Sequence, residues 1–364
     1  MTLTAVRPGQ HLEVTALVGV AARNAASVDG ARGLPAESVA GLVDAGFARH
    51  FVPGRWNGAA GGFAELVEAV IEVGTACTST AWCATLFAGH GRIAAYLPEP
   101  AQQEIWDRGP DTLISAAVMP PAGRATPVPG GWRLRGEWCR ASGVGLADWV
   151  LLASRAPDDG GETVRIFAVP VADCTVRETW RPIGLRATDT NTVVVDDLLV
   201  PAHRTVTLPA LLDVRQTGRP RCHCVPFSLV AAVMFAAPVV GAAAGAVADG
   251  LDTGWLTGDP DARQALARSA SEVSAARLLL RDAATRADRG MVDPRTVARN
   301  RCDAAVAAQL SVSAVDRLFA ARAGLGLAED DPVQRRWREV HVAITHGTLR
   351  FASAADAYAT AMLG

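Results

Sequence analysis

The chain of 364 residues contains no lysine: all 35 basic residues other than histidine are arginine. That absence excludes Schiff-base catalysis, pyridoxal phosphate chemistry and a Walker A phosphate site, each of which needs a lysine amine. A large excess of charge of one sign is also missing. The formal net charge is −2, so no basic field points to nucleic acid or an anionic membrane. Seven cysteines are scattered without framework spacing, which reads as reduced thiols in a cytoplasmic protein. Their one cluster, Cys222-His223-Cys224, has adjacent ligands and no second pair nearby, so no metal is expected. The first residues lack a basic segment followed by an apolar run, so no secretory signal is expected. No G-x-G-x-x-G follows a strand, which leaves a nicotinamide site unsupported. The most apolar stretch, Val225 to Val247, is rich in alanine and glycine and interrupted by Pro238; a buried helix fits it better than a membrane span.

Half of the residues are hydrophobic, ample for two or three domains. Residues 1–110 read as helices. Leu34-Pro35 starts one, Phe63 to Tyr96 forms a long apolar-periodic region, and Pro98 starts a short one. From about Asp111 the period changes to 2. Leu113–Val118, Trp132–Arg135, Trp149–Ala153, Val164–Val169 and Thr192–Val195 read as strands, separated by Pro129-Gly130-Gly131 and Asp158-Asp159-Gly160-Gly161. Short strands without helices between them predict a small antiparallel barrel or sandwich over 111–208. Beyond, 209–364 reads as an antiparallel bundle. Asp259-Pro260 and Asp293-Pro294 start its long helices. The helix over Pro260–Arg289 would be about 45 Å long. The next carries Ala304, Ala308, Val312, Val315 and Phe319 as a seam of mostly small residues.

Near the end stands PVQRRWREVHVAITHGTLRF, Pro332 to Phe351. Asp331-Pro332 supplies an N-cap carboxylate and a first-turn proline. Val333, Trp337, Val340 and Ile344 share one side. His346-Gly347 predicts a glycine in the left-handed turn that closes the helix. His341, five positions before His346, lies about 140° away around the helix and reads as structural. Elsewhere, Ser142-Gly143 follows Trp138 in GGWRLRGEWCRASGVGLADWVLLAS, Trp180 opens WRPIGLRATDTN with Thr188 and Thr190, and STAWCATLFAGHGRIAAYLP carries Trp82 and His90. Bland readings exist for each: a turn serine before glycine, a hydrogen-bonded turn, a satisfied helix histidine.

Together these stretches resemble acyl-CoA dehydrogenase-fold flavoproteins from about Leu34 to Gly364. His346 stands where true dehydrogenases of that fold carry a glutamate before Gly-Thr. In this it resembles the two-component, group D flavin-dependent monooxygenases. The resemblance implies an α+β fold of N-terminal helical domain, central β-domain and C-terminal four-helix bundle, assembled as a homotetramer. It implies that reduced flavin (FMNH2 or FADH2) from a separate NAD(P)H:flavin reductase reacts with O2. A C4a-hydroperoxyflavin would then hydroxylate a small aromatic or polycyclic, natural-product-like substrate. Trp138 would wall the flavin, Ser142 and Gly143 would meet its N5–O4 edge, Trp180 would flank the ring, and Thr188 and Thr190 would contact the ring or ribityl chain. His346 and His90 would handle the substrate proton, with Trp82 lining the pocket. Imidazole titrates near neutrality and suits a phenolic proton or a departing peroxide. Ala323-Gly324-Leu325-Gly326 lacks the family's double glycine, which weighs toward FMN without deciding the cofactor. Departures from the pattern are Arg140 for an aromatic residue, Leu146 for histidine, and Asp189 for glycine. The rival readings are a dehydrogenase or redox-neutral flavin enzyme with a carboxylate elsewhere, and a flavin-less scaffold.

Overall fold

A computed structural model describes residues 11–158, 160–212, 219–252 and 259–363; Asp159 of the expected turn lies outside them. Among the described residues five α-helices come first: α1 (Thr15–Ala31), α2 (Ala36–Asp44), α3 (Phe63–Ala76), α4 (Thr78–Ala94) and α5 (Glu99–Ile105). The apolar region expected as one unit is two helices, because Cys77 is extended (φ −148°, ψ 115°) and breaks it. Every residue of α4 is buried. That explains its weak amphipathicity: a helix covered all round needs no polar face.

Eight strands follow: β1 (Ile114–Ala117), β2 (Arg124–Val128), β3 (Gly131–Ala141), β4 (Trp149–Asp158), β5 (Gly161–Pro170), β6 (Thr175–Arg177), β7 (Asn191–Pro201) and β8 (Thr205–Thr207). The order is β6-β7-β3-β2-β4-β5-β8, with β1 attached to β4. The sheet is mixed rather than wholly antiparallel, since β1 runs parallel to β4. That pairing sets β1 beside α4, where it meets the site described below.

The C-terminal helices are α6 (Leu208–Leu212), α7 (Phe227–Asp252), α8 (Pro260–Arg289), α9 (Pro294–Ala321), α10 (Pro332–Ala343) and α11 (Phe351–Leu363). All three Asp-Pro starts are true caps. Asp259 accepts from Asp261 N, Asp293 from Thr296 N and Asp331 from Gln334 N. Helix α7 is long and apolar enough to cross a membrane, yet it is largely buried. It crosses α3 at paired glycines: a Cβ on Gly241 would lie 2.6 Å from Ile71 O. Inside α7, Pro238 cannot donate to the carbonyl four residues back. That carbonyl, Met234 O, accepts from Thr85 Oγ1 of α4 at 3.2 Å instead, so the helix interruption becomes a tie between two buried helices.

Helix α10 is the strut of the molecule. Arg336 is buried and donates to Gly74 O at 3.0 Å and Ala76 O at 3.1 Å, fastening the end of α3. Glu339 accepts from Thr78 Oγ1 at 2.5 Å, fastening the start of α4. Arg338 grips Asp29 of α1 through both carboxylate oxygens (3.2 and 2.8 Å) and donates to Ile183 O at 2.6 Å. The 180–191 loop is thereby clamped between α1 and α10.

Candidate active site

The site lies where α4, α7, β1, the end of β3, the 180–191 loop and the segment after α10 meet. Strand β3 carries a bulge near its end: Trp138 pairs with Val193, but Ala141 pairs with Asn191. Three residues therefore advance against two, and Arg140 takes a left-handed φ of 66°. The extra residue changes which way the chain faces. Trp138 stays in the core of the sheet, 1% exposed, with Nε1 donating to Ala153 O at 2.8 Å. The structure does not bring Trp138 to the site; its role is packing, which corrects the expectation of a flavin wall.

Beyond the bulge, Ser142 points into the junction. Its Oγ meets Trp82 Nε1 at 3.4 Å and Thr190 Oγ1 at 2.8 Å. Its carbonyl accepts from Ser115 Oγ at 2.8 Å. Gly143 (φ 70°) donates to Thr188 O at 2.8 Å, and a side chain there would collide with the Phe87 ring. Thr190 is linked at 2.7 Å to Thr188, whose hydroxyl also reaches Leu185 O at 3.0 Å. Thr188 is fully buried, so it cannot touch a ligand directly. Trp180 is half-buried and donates from Nε1 to Leu185 O at 2.8 Å.

Asp189 has φ 47°, a conformation that aspartate tolerates better than most residues. Its carboxylate turns away from the cluster to accept from Gly145 N and Asn191 Nδ2. Burial raises its pKa, and these two hydrogen bonds oppose the rise. The acidic residue at the usual glycine position therefore locks the turn after Gly143 without facing the site.

His346 does not close a helix. Helix α10 stops at Ala343, Gly347 is not left-handed, and His346 instead caps the short 3-10 turn Gly347–Leu349. This corrects the expected glycine termination. The His346 ring stacks on Phe235 (centroids 3.8 Å, 21°) and meets Trp82 edge-on at 5.9 Å. Burial first, and the nearby Arg140 charge second, lower its pKa to about 4. Nδ1 lies 2.8 Å from Thr348 Oγ1, which can donate or accept, and 3.4 Å from Thr348 N–H, which can only donate; both contacts are met when Nδ1 accepts and Nε2 carries the hydrogen. His90 has the opposite tautomer. Its Nδ1 lies 2.8 Å from Ile114 O, a pure acceptor, which leaves a lone pair on Nε2. Burial lowers its pKa to about 4 as well.

Sequence reasoning missed Phe235, Ser115 and Thr348. Phe235 had one available signal: an aromatic ring amid small and aliphatic residues, three residues before the helix proline. His341 bonds Asp316 and His223 bonds Phe51 O, both away from this junction.

Hydroxyls, an indole N–H, two neutral imidazoles and aromatic faces make a donor set suited to a flat heteroaromatic ring such as flavin. Among the described residues no carboxylate is bonded to Trp82, Ser142, Thr190 or His346.

The acyl-CoA dehydrogenase, C-terminal domain family matches residues 233–351. The FADH(2)-dependent resorcinol hydroxylase, oxygenase component, of Rhizobium sp. (strain MTP-10005) is 33% identical, covering 94% of this chain and 90% of its own length. The crystal structure of the HsaA monooxygenase from M. tuberculosis has a TM-score of 0.91 at 28% identity and covers 98% of each chain. XiaF from Streptomyces sp., in complex with FADH2 and glycerol, has a TM-score of 0.91 at 27% identity, covering 96% of this chain and 94% of its own. The chain belongs to the family of flavin-dependent monooxygenase oxygenase components built on the acyl-CoA dehydrogenase fold.

Proposed function

We propose that the protein hydroxylates a small phenolic substrate, using O2 and reduced flavin delivered by a separate NAD(P)H:flavin reductase. The observation that carries this reading is His346: a neutral imidazole, stacked on Phe235 beside Trp82 and Ser142, occupies the position where proton abstraction from a thioester would need a carboxylate. Reduced flavin, when bound, supplies the two electrons with which one atom of O2 enters the substrate and the other leaves as water. The donor set suits FADH2 or FMNH2, and the naming of the relatives favours FADH2.

The chain's own residues divide the remaining work. Ser142, held by Trp82 and Thr190, offers its hydroxyl to the flavin edge. Trp82 and Phe235 wall the pocket with apolar rings and exclude water, which strengthens every polar contact within. The His90 Nε2 lone pair accepts the hydrogen bond of a phenolic hydroxyl and draws its proton as the ring becomes more nucleophilic. The His346 Nε2–H donates to oxygen and holds a hydrogen bond where negative charge develops. Arg140, exposed at the bulge and without an ion pair among the described residues, adds a positive charge that His346 feels.

Assembly as a homotetramer in the cytoplasm belongs to the same proposal. The exposed Leu325 and Leu327 and the sparsely buried α11 leave apolar surface for other subunits. Anaerobic titration of the isolated chain with FADH2 and FMNH2, followed by air and a panel of phenols, tests the reading. Hydroxylated product without NAD(P)H is expected. Reduction of bound flavin by an acyl thioester, with no hydroxylation, would favour the dehydrogenase alternative.

A further inference from the structure

Thr188, Thr190 and Ser142 form a line of three hydroxyls that ends on Leu185 O, with spacings of 3.0, 2.7 and 2.8 Å. Three protons serve this line, and Thr188 is its branch point. Its single hydrogen has two acceptors in reach, Leu185 O and Thr190 Oγ1. In one arrangement Thr188 donates to Leu185 O, Thr190 to Thr188, and Ser142 to Thr190. Ser142 then keeps a lone pair facing outward. In the other, the one that the heavy-atom angles between Thr190 and Ser142 favour, Thr188 donates to Thr190, Thr190 to Ser142, and the Ser142 hydrogen faces outward.

Neither arrangement orphans a buried group. Leu185 O retains Trp180 Nε1 at 2.8 Å and Thr188 N at 3.3 Å when Thr188 turns away. Trp82 Nε1, which only donates, occupies one Ser142 lone pair in both. The heavy atoms stay in place and only hydroxyl hydrogens rotate. With Thr188 wholly buried and Thr190 nearly so, water does not intrude to satisfy either group separately, so the three protons turn together.

We propose that Thr188 is a positioning residue that sets the direction of this hydroxyl line, so that Ser142 offers a hydrogen to oxidised flavin and a lone pair to reduced flavin. This rests on the reading that flavin lies against Ser142. Flavin N5 is an acceptor when oxidised and an N–H donor when reduced; a serine without a reversible partner suits one form only. Thr188 matches both forms without touching either.

The experiment is anaerobic binding of oxidised and reduced FAD to the wild type, Thr188→Val, Thr188→Ser and Thr190→Val, with thermal melts as a check on folding. Valine at 188 keeps shape but removes the inner acceptor. Only Thr188 O, at 3.5 Å, is then left for the Thr190 hydrogen. Reduced FAD is expected to bind roughly three- to tenfold more weakly, the worth of about one hydrogen bond, while oxidised FAD changes less. Serine at 188 should restore the wild-type ratio. Thr190→Val should act in the same direction as Thr188→Val and decides the matter if the latter does not fold. Equal weakening of both flavin forms, or a serine variant that behaves like valine, would overturn the proposal. A wild-type protein that binds neither form would instead overturn the flavin reading beneath it.

Discussion

Three histidines, His90, His223 and His346, are held with pKa values of about 4, each chiefly by burial. An unfolded chain titrates them near 6.5, so in the interval between the two values it binds more protons than the folded one. Stability is therefore complete above about pH 6.5 and falls as pH drops toward 4, by no more than about 1.4 kcal/mol per pH unit for each histidine. Denaturant titrations from pH 7.5 to 4 check this; stability flat across that range would contradict the assigned burial. At His346 the Arg140 charge reinforces burial. Arg140→Gln should raise the His346 pKa while leaving it below 6.5, as read by an NMR titration of the imidazole. An unchanged value would remove Arg140 from the site's electrostatics. The opposite tautomers of His90 and His346 lead to a second contrast. His90→Gln should lower coupled hydroxylation by at least about 10²-fold, the low end for a lost proton acceptor. Reduced-flavin affinity should stay near wild type, and excess hydrogen peroxide measures the uncoupling.

The residue types of the candidate site could be read from the sequence, but not their arrangement. Ser142, Thr190, Trp82 and His346 are linked by contacts, and His90 stands beside them through Ile114 O, next to Ser115 on the Ser142 carbonyl. Trp138 does not join them, although it has the same parity as Ser142 along β3 and would share its face in an unbroken strand. The bulge at Arg140 breaks that parity, and an arginine in left-handed backbone leaves no mark in a hydrophobic pattern. Phe235 was hidden for the converse reason: on a helix buried all round, no periodicity singles out one ring.

At the scale of elements, α10 joins what the catalytic proposal needs held together. Its three polar anchors, Arg336, Arg338 and Glu339, reach α3, α1 with the 180–191 loop, and α4. The Arg338–Asp29 pair is nearly buried at both ends. Removing Arg338 leaves Asp29 with Arg186 alone, at 3.3 Å, so Arg338→Ala should cost about 1–3 kcal/mol in denaturant unfolding, less than a wholly stranded buried charge would. A loss under 1 kcal/mol would mean that the clamp is solvent-screened. Thr85→Val tests the tie between α4 and α7. It leaves Met234 O, already deprived of its helix partner by Pro238, without a donor, at a cost of about 1–3 kcal/mol. Helix starts were legible because Asp-Pro is a local signal with a local cause. The end of α10 was not. A glycine after histidine permits a left-handed turn, but the chain uses a 3-10 turn capped by His346 itself.

For the whole molecule, the change of period from 3.6 to 2 and back located the sheet between two sets of helices. The strands it missed, β2, β6 and β8, are short, and β2 contains Pro127. Such segments pair because their neighbours offer free edges, which is a tertiary cause absent from their own pattern. The parallel attachment of β1 to β4 was likewise invisible, yet it puts Ile114 O against His90 and Ser115 against Ser142. The site thus depends on contacts between all three regions. The account's central claim is that this junction performs oxygenation with flavin reduced elsewhere. A single-turnover reaction tests it most directly: the chain loaded anaerobically with FADH2 and a phenol, mixed with 18O2 in the absence of NAD(P)H. Incorporation of one labelled oxygen atom per product molecule is predicted. Bound flavin that reoxidises to give only hydrogen peroxide, with no labelled product from any phenol tested, would contradict it.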